Sequence, residues 1–144
     1  MKKFKVRIQG TAPLLQNKVP EELGTITERK GEGKDHPDLC KQKLYTNGKT
    51  IVQPAIHIES ALIKAATGIK LKGQGKKSYK DMFKGSVFVK PDMIPHKKQK
   101  WKVHKTTVVI PSTRGRTPRY RPMLENWALS FEIEVLDARL PTDV

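Results

Sequence analysis

The residues of this chain with the clearest chemistry are cations gathered in one stretch. Between Met93 and Leu124 there are nine Lys or Arg and two His but no carboxylate, and Trp101 and Tyr120 stand towards its two ends. Clustered cationic side chains repel one another unless phosphates or an acidic partner neutralise them, and aromatic rings can stack on unpaired bases. The stretch therefore predicts a surface that binds a polyanion.

The C-terminal part of this basic stretch uses arginine where the rest of the chain prefers lysine. The arginines are Arg114, Arg116, Arg119 and Arg121. A planar guanidinium makes paired contacts with phosphate and stacks on bases. The change from Lys to Arg therefore indicates that the geometry of the contact matters as well as its charge. Gly115, Pro118 and Pro122 predict an extended, irregular loop over 113–122. Tyr120 would offer a base a stacking platform, unless it lies in the core and the arginines are simply solvated.

A second basic cluster lies earlier in the chain and consists of lysines. Its members are Lys70, Lys72, Lys76, Lys77, Lys80 and Lys84. Flexible ammonium groups suit phosphate contacts that do not depend on base sequence, and Lys100, Lys102 and Trp101 are predicted to join the interface. The alternative is a solvated loop.

The glycines of the lysine cluster resemble part of a phosphate-binding loop. The position after Gly75 and Lys76 holds Lys77, however, where that motif requires Ser or Thr. We therefore expect no nucleotide hydrolysis and no cofactor.

Acid and imidazole groups crowd together at Asp35, His36 and Asp38. In a loop beside bound RNA they could assist cleavage by its 2′-hydroxyl, which makes them weak catalytic candidates. The alternative is an ordinary polar loop, with Pro37 favouring a turn.

The four histidines form no i, i+4 pair and have no cysteine partner, so we expect no metal site.

Composition narrows the class of protein further. The 29 Lys and Arg exceed the 14 Asp and Glu by 15, a charge that a phosphate-rich partner would neutralise. Cys40 is the single cysteine, which is typical of a reducing compartment and excludes an internal disulfide.

No apolar run is long enough for a signal peptide or a membrane span, so we expect a soluble, cytoplasmic protein without membrane contact. A chain of 144 residues predicts one domain, 1–144, with a long mobile loop at about 17–42.

Alternating apolar residues predict the strands that would position these groups. Phe4, Val6 and Ile8 mark a first strand, and residues 127–135 mark a final one. Asn47 and Gly48 predict a tight hairpin turn between strands at 44–46 and 50–52. Residues 86–90 and 101–110 are also predicted strands, and Gly10 predicts a bulge or a close approach of another backbone.

Two helices are predicted between these strands. The first carries an apolar stripe with the 3.6-residue period, formed by Ile58, Ala61, Leu62, Ala65 and Ala66, and Gly68 would close it. Ser78 and Asp81 resemble a capping box for a short helix that ends at Gly85. The pattern favours an α+β fold: a mostly antiparallel sheet with one main and one short helix, in a ferredoxin-like or RRM-like arrangement.

Two segments, 51–66 and 121–135, together with the opening strand and 11–15, resemble a family of small phage- and prophage-encoded proteins of uncharacterised activity. More distantly, Gly10-Thr11-Ala12-Pro13-Leu14-Leu15, followed by an insertion, a proline and an Ala-Leu helix, is similar to the RAMP proteins that form the RNA-binding backbone of CRISPR effector complexes. That resemblance implies a modified RRM-like fold that binds RNA along basic loops, with possible multimerisation into a ribonucleoprotein. In some relatives an Asp after the first strand cuts target RNA, which would map onto Asp35 or Asp38. The chain is shorter than those subunits and lacks their Gly-rich C-terminal signature.

Three functions follow as hypotheses. The first is a non-enzymatic protein that binds nucleic acid, single-stranded RNA or DNA, and that self-associates along the strand or joins a larger ribonucleoprotein. The second is a ribonuclease that uses the loop acids. The third is a phage-encoded interaction or inhibitor protein whose basic face binds an acidic partner.

Overall fold

A computed structural model describes residues 1–19 and 35–141, and the chain folds as two compact units. Unit 1 comprises Met1–Ile8, Val52–His96 and Ala128–Val144, and unit 2 comprises Gln9–Ile51 and Lys97–Trp127. The described strands form three small antiparallel sheets, so the predicted α+β class with mostly antiparallel pairing is confirmed. Most of the loop predicted at 17–42 lies outside the described residues. A single nucleic-acid-binding domain stays a prediction.

The main sheet of unit 1 pairs the two ends of the chain. Strand β1 (Lys2–Gln9) and strand β5 (Val87–Lys90) flank strand β9 (Ala128–Val135), in the order β1-β9-β5. All three strands were predicted from their alternation. The C-terminal half of strand β4 (Thr50–Pro54) pairs antiparallel with β6 (Met93–Pro95), a three-residue strand too short to leave an alternating signal.

Helix α1 (Ala55–Ala66) follows β4 directly, as the sequence predicted. The buried side of the helix differs from the predicted stripe. Ala61 and Ala65 are exposed, whereas Ala55 and Ala66 are buried. The Glu59 carboxylate also contacts strand β5, since it accepts a hydrogen bond from the backbone N–H of Val89 at 2.8 Å. Hydrophobic periodicity alone does not indicate such a polar contact.

The short helix α2 (Lys80–Ser86) is also confirmed, although no capping box starts it. Ser78 and Lys70 instead form an isolated antiparallel bridge ahead of the helix. The core of unit 1 lies between the helices and the sheet and contains Ala66, Tyr79, Val87 and Leu140.

The sheet of unit 2 is built on a long hairpin. Strand β7 (Lys102–Val109) pairs antiparallel with β8 (Arg116–Leu124), and the two-residue strand β2 (Leu14–Leu15) pairs with the end of β8. A 3-10 helix (Pro37–Lys43) also belongs to this unit. The described end of the predicted 17–42 loop is therefore ordered structure.

Strand β8 replaces the irregular loop predicted at 113–122, and that prediction is wrong. Its prolines fit because of the register. The Tyr120 N–H and the Pro122 C=O bond away from β7, to Asp35 and Gln16. Backbone groups alternate in direction along an antiparallel strand, so Pro118 and Pro122 face away from β7, as Tyr120 does. No hydrogen bond to β7 is therefore lost because proline lacks an N–H.

The hairpin of β3 (Thr46–Asn47) and the start of β4 is confirmed, one residue out of register with the prediction. Asn47 pairs with Thr50, so the turn residues are Gly48 and Lys49. Gly48 takes the positive φ of 63° that a tight turn needs, whereas Asn47 lies in a strand.

The close approach predicted at Gly10 occurs in unit 2, where a side chain fills the space. A Cβ on Gly10 would lie 2.2 Å from Nε1 of Trp127, and that indole N–H donates to the carbonyl of Ala12 at 2.9 Å. Trp127 packs against the unit 2 core of Leu44, Ile51 and Leu124. Gly10 therefore leaves room for the indole to lie close to the backbone.

Candidate nucleic-acid interface

The β7–β8 hairpin carries most of the predicted cations of unit 2 and sorts them onto two faces. Residues opposite each other in an antiparallel ladder point to the same face, and each strand alternates between faces. We call one the Arg119 face; it holds Lys102, His104, Arg119, Arg121 and Met123. The other, the Tyr120 face, holds Val103, Lys105, Val109, Arg116 and Tyr120. The four predicted arginines therefore do not act as one loop.

On the Arg119 face the two arginines are half-buried and follow each other at a spacing of two residues, about 6.8 Å. Arg121 lies opposite His104, and Arg119 lies opposite Thr106. Among the described residues, neither arginine has a carboxylate within ion-pair distance. Lys102 does have one, since its Nζ lies 2.8 Å from Glu125. In residues 1–19 and 35–141, no carboxylate ion pair competes with an anion for these two guanidinium groups.

On the Tyr120 face the aromatic ring is already in contact with a cation. Lys105 lies opposite Tyr120, and its Nζ is 5.9 Å from the centre of the ring. Tyr120 is half-buried, so the ring offers a base less than the full platform predicted from sequence. Arg116 is exposed near the hairpin turn. Arg114, in the turn itself, has a φ of 55° and donates its N–H to the carbonyl of Ile110 at 2.8 Å.

A buried ion pair holds the backbone between Arg119 and Arg121. The Nζ of Lys43 donates to both oxygens of Asp35, at 2.7 and 2.6 Å, and to the carbonyl of Tyr120 at 2.7 Å. Asp35 in turn accepts the N–H of Tyr120 at 2.8 Å. The Lys43 and Asp35 side chains are only 8% and 4% exposed. All three ammonium donors are used, which is the condition for burying such a charge at acceptable cost.

The surroundings of Asp35 act on its pKa in opposite directions. Burial tends to raise the pKa, but the hydrogen bonds from Lys43 and from the Tyr120 N–H, together with the charges of Lys43 and Arg119, lower it below its ordinary value of 3.8. Asp35 is therefore ionised at neutral pH and bound by permanent partners. A catalytic role for Asp35 stays a prediction, and the contact that the structure shows is an ion pair with Lys43, which the sequence did not single out.

The other two weak catalytic candidates lie on the surface at the start of the 3-10 helix. His36 Nδ1 is 3.1 Å from a carboxylate oxygen of Asp38 and accepts the Asp38 N–H at 3.3 Å. Both side chains are exposed, at 62% and 87%. This is a capping arrangement, and Pro37 begins the helix after it.

Trp101 lies where the hairpin meets the core of unit 2. It packs against the cluster of Leu44, Ile51 and Leu124. Trp101 also lines a cavity of 530 Å³ whose wall includes Lys100, Lys102 and Met123. Three predicted contact residues, Lys100, Trp101 and Lys102, are therefore brought together at one site.

The predicted lysine cluster belongs to unit 1. Lys72, Lys76 and Lys77 are exposed on a compact turn, in which Leu71 donates its N–H to the Lys77 carbonyl at 2.9 Å. Gly73 and Gly75 have φ angles of 76° and 61°, so the glycines shape this turn. Lys80 and Lys84 stand one helical turn apart on α2. The cluster forms a solvated, basic surface of its own.

The sequence missed the amide side chains that fix backbone in unit 2. Gln99 accepts the N–H of Ile51 at 2.6 Å and donates to its carbonyl at 3.2 Å. Buried Gln16 accepts the N–H of Tyr45 at 2.9 Å. Neither contact leaves a periodic signal, because each joins residues about thirty or more positions apart.

Within residues 1–19 and 35–141, no helix is long and apolar enough to cross a membrane. In the same part of the chain, no three His, Cys, Asp or Glu side chains are grouped so as to hold a metal ion. Comparison with family models, with curated proteins and with solved structures finds no match to this chain, so both resemblances stay predictions.

Proposed function

We propose that the protein binds single-stranded nucleic acid and that the Arg119 face of the β7–β8 hairpin is the main contact surface. The observation that carries the proposal is the pair Arg119 and Arg121, which point to one face while the buried Asp35–Lys43 pair holds the backbone between them. Because the backbone that carries them is already held in place, presenting both guanidinium groups to phosphate costs less conformational entropy.

The charge of the hairpin supports the same proposal. Arg119 and Arg121 have no ion-pair partner in the described part of the chain, and the net charge of the whole protein is +15. Phosphate contacts made by such groups release counterions, which gives affinity a steep dependence on salt. The exposed lysines of unit 1 would add contacts of the same kind.

We also propose a relationship to ferredoxin-like or RRM-like folds. The antiparallel sheets and helices are compatible with a ferredoxin-like or RRM-like variant of the RAMP kind, and membership in a phage-encoded family with self-association on a longer strand belongs to the same proposal. An experimental structure of the protein on an oligonucleotide would test this relationship directly.

The main experiment measures binding of a labelled single-stranded oligonucleotide by fluorescence anisotropy over a range of salt concentrations. We expect the logarithm of the affinity to fall linearly with the logarithm of salt, by about 0.7 for each phosphate contact. The double variant Arg119→Ala/Arg121→Ala should bind more weakly, with a slope shallower by about 1.4.

The matched control is Lys5→Ala/Arg7→Ala. These exposed cations are also two residues apart on one strand, β1, but lie in unit 1 outside the proposed interface. Equal losses in both double variants would mean that net charge, and not the Arg119 face, drives binding. The variant Lys72→Ala/Lys76→Ala then measures the contribution of the unit 1 lysines.

Two results would favour the other hypotheses. Absence of binding at low salt, with capture of an acidic protein instead, would support the interaction protein. Labelled RNA that is shortened in the presence of Mg²⁺, and stays intact with His36→Ala or Asp38→Ala, would support the ribonuclease. We expect intact RNA, because the nearby Asp35 is held by Lys43 and Tyr120.

A further inference from the structure

The cavity beside Trp101 has a shape and chemistry that the hairpin face lacks. Its 530 Å³ falls within the range of about 300–1,000 Å³ typical of ligand sites. Trp101 and Met123 supply an apolar surface, and Lys98 and Lys100 stand at its rim. Asn126 adds one amide, which can both donate and accept hydrogen bonds.

The walls of this cavity are anchored before any ligand binds. Gln99, between the two rim lysines, is bonded to both backbone groups of Ile51. Trp101 is packed against the core of unit 2. Asn126, which also lines the cavity, has a φ of 50° and precedes Trp127, which is fixed against Gly10. A site anchored in this way loses little entropy on binding.

The charges at the cavity favour an anionic ligand with a flat apolar part. Glu125, which also lines it, is paired with Lys102 at 2.8 Å. In the described part of the chain, Lys98 and Lys100 have no such partner. A purely apolar ligand would leave these two cations unused, and an inorganic anion would leave the Trp101 ring unused. A nucleotide uses both, with its base on the ring and its phosphate between the lysines.

The position of the cavity indicates which nucleotide of a bound strand it would hold. Lys102 and Met123 form the last pair of the β7–β8 ladder, and both lie on the Arg119 face. The row of Arg119 and Arg121 thus leads into the cavity at the end of the hairpin opposite the turn. Two ammonium groups there match the double charge of a terminal phosphate better than the single charge of a phosphodiester.

We propose that this cavity binds the terminal nucleotide of the strand, with the base stacked on Trp101 and a terminal phosphate held by Lys98 and Lys100. This inference rests on the proposed function, since the Arg119 face would hold the rest of the strand. It adds a preference for strand ends that binding along the hairpin alone would not produce.

The test compares one oligonucleotide sequence in four forms: with a 5′-phosphate, with a 3′-phosphate, with neither, and circularised. We expect one terminal phosphate to strengthen binding and the circle to bind more weakly than the preferred linear form. The variant Lys98→Gln/Lys100→Gln should bind the phosphorylated and unphosphorylated forms equally. Trp101→Leu should weaken binding of the preferred form by roughly 5- to 150-fold, the range for loss of one stacked base.

The outcomes separate the two proposals. If all four forms bind equally while Arg119→Ala/Arg121→Ala still weakens binding, the terminal site is refuted and the proposed function stands. If no form binds, the proposed function itself fails. Should Trp101→Leu fold poorly by circular dichroism, crosslinking of a terminal 5-iodouridine in the wild-type protein replaces it. Attachment at Trp101 supports the site, and attachment at Tyr120 overturns it.

Discussion

Asp35 and Lys43 together take the place of a neighbouring strand beside Tyr120. The carboxylate of Asp35 accepts the Tyr120 N–H at 2.8 Å, and the ammonium of Lys43 donates to the Tyr120 carbonyl at 2.7 Å. The two side chains neutralise each other at 2.6 Å. One ion pair thereby satisfies both backbone groups of a strand residue and fixes the segment that carries Arg119 and Arg121.

Breaking this pair on one side should destabilise the protein strongly. In Lys43→Met the Asp35 carboxylate stays buried without its cation, and the free energy of unfolding should fall by about 3–5 kcal/mol. The double variant Asp35→Leu/Lys43→Met removes both charges and should recover part of that loss. Urea denaturation measures all three proteins. A single variant as stable as wild type would show that the pair is open in solution.

Acid should weaken the same contact. The folded-state pKa of Asp35 lies below its ordinary value of 3.8, so its contribution to stability is complete above about pH 5 and disappears as pH falls through the folded pKa. Melting temperatures of wild type and Asp35→Asn between neutral pH and pH 3 check this, since the difference between the two proteins isolates Asp35 from other carboxylates. A difference that stays constant down to pH 3 would contradict the lowered pKa.

Cys40 offers a direct report on the 3-10 helix. Its side chain is fully buried, and burial raises the pKa of the thiol, so a thiol reagent should react with it only after local opening. Asp35→Asn should accelerate labelling about tenfold for each 1.4 kcal/mol of local stability lost. Lys3→Ala, which removes a surface ion pair of unit 1, is the control and should leave the rate unchanged.

A methyl group on Gly10 should displace Trp127. Its Cβ would lie 2.2 Å from the indole nitrogen, so Gly10→Ala should cost about 1–3 kcal/mol of unfolding free energy, or more if the indole loses its bond to Ala12. Gly85→Ala is the matched control: a Cβ there would meet no atom within 4 Å beyond its chain neighbours and the backbone of α2, and alanine should stabilise by up to about 1 kcal/mol. Equal effects would argue against the close packing of Trp127.

Arginine geometry should matter on the Arg119 face independently of charge. Arg119→Lys/Arg121→Lys keeps both charges but loses the planar fork, so oligonucleotide affinity should fall while the salt slope stays near that of wild type. Lys105→Ala/Arg116→Ala removes two charges from the Tyr120 face and should reduce affinity less than Arg119→Ala/Arg121→Ala does. The reverse order in anisotropy titrations would move the interface to the Tyr120 face.

The elements that the sequence predicted are those whose signal is local. Strands β1, β7 and β9 alternate, Gly48 marks a tight turn, and helix α1 follows Pro54 with a helical period. Strand β8 was read as a loop because its prolines normally exclude strands. They are tolerated here because they occupy positions that face away from β7, and that depends on a register the sequence does not display.

The candidate site was predicted in residue type but not in arrangement. Arginine clustering pointed to a phosphate surface, yet strand alternation separates Arg116 from Arg119 and Arg121. Asp35 looked like a possible acid for cleavage because its partner, the Tyr120 N–H, is 85 residues away along the chain. Contacts at such separations are made by tertiary packing, which composition and periodicity do not encode.

The outer edge of β8 has a consequence for how two copies of the protein can meet. From Pro118 to Pro122 this edge presents no free N–H, since the prolines have none and that of Tyr120 is bonded to Asp35. Sheets usually grow from one molecule to the next through such donors. Two copies that lie side by side are therefore prevented from joining their sheets through this segment of β8.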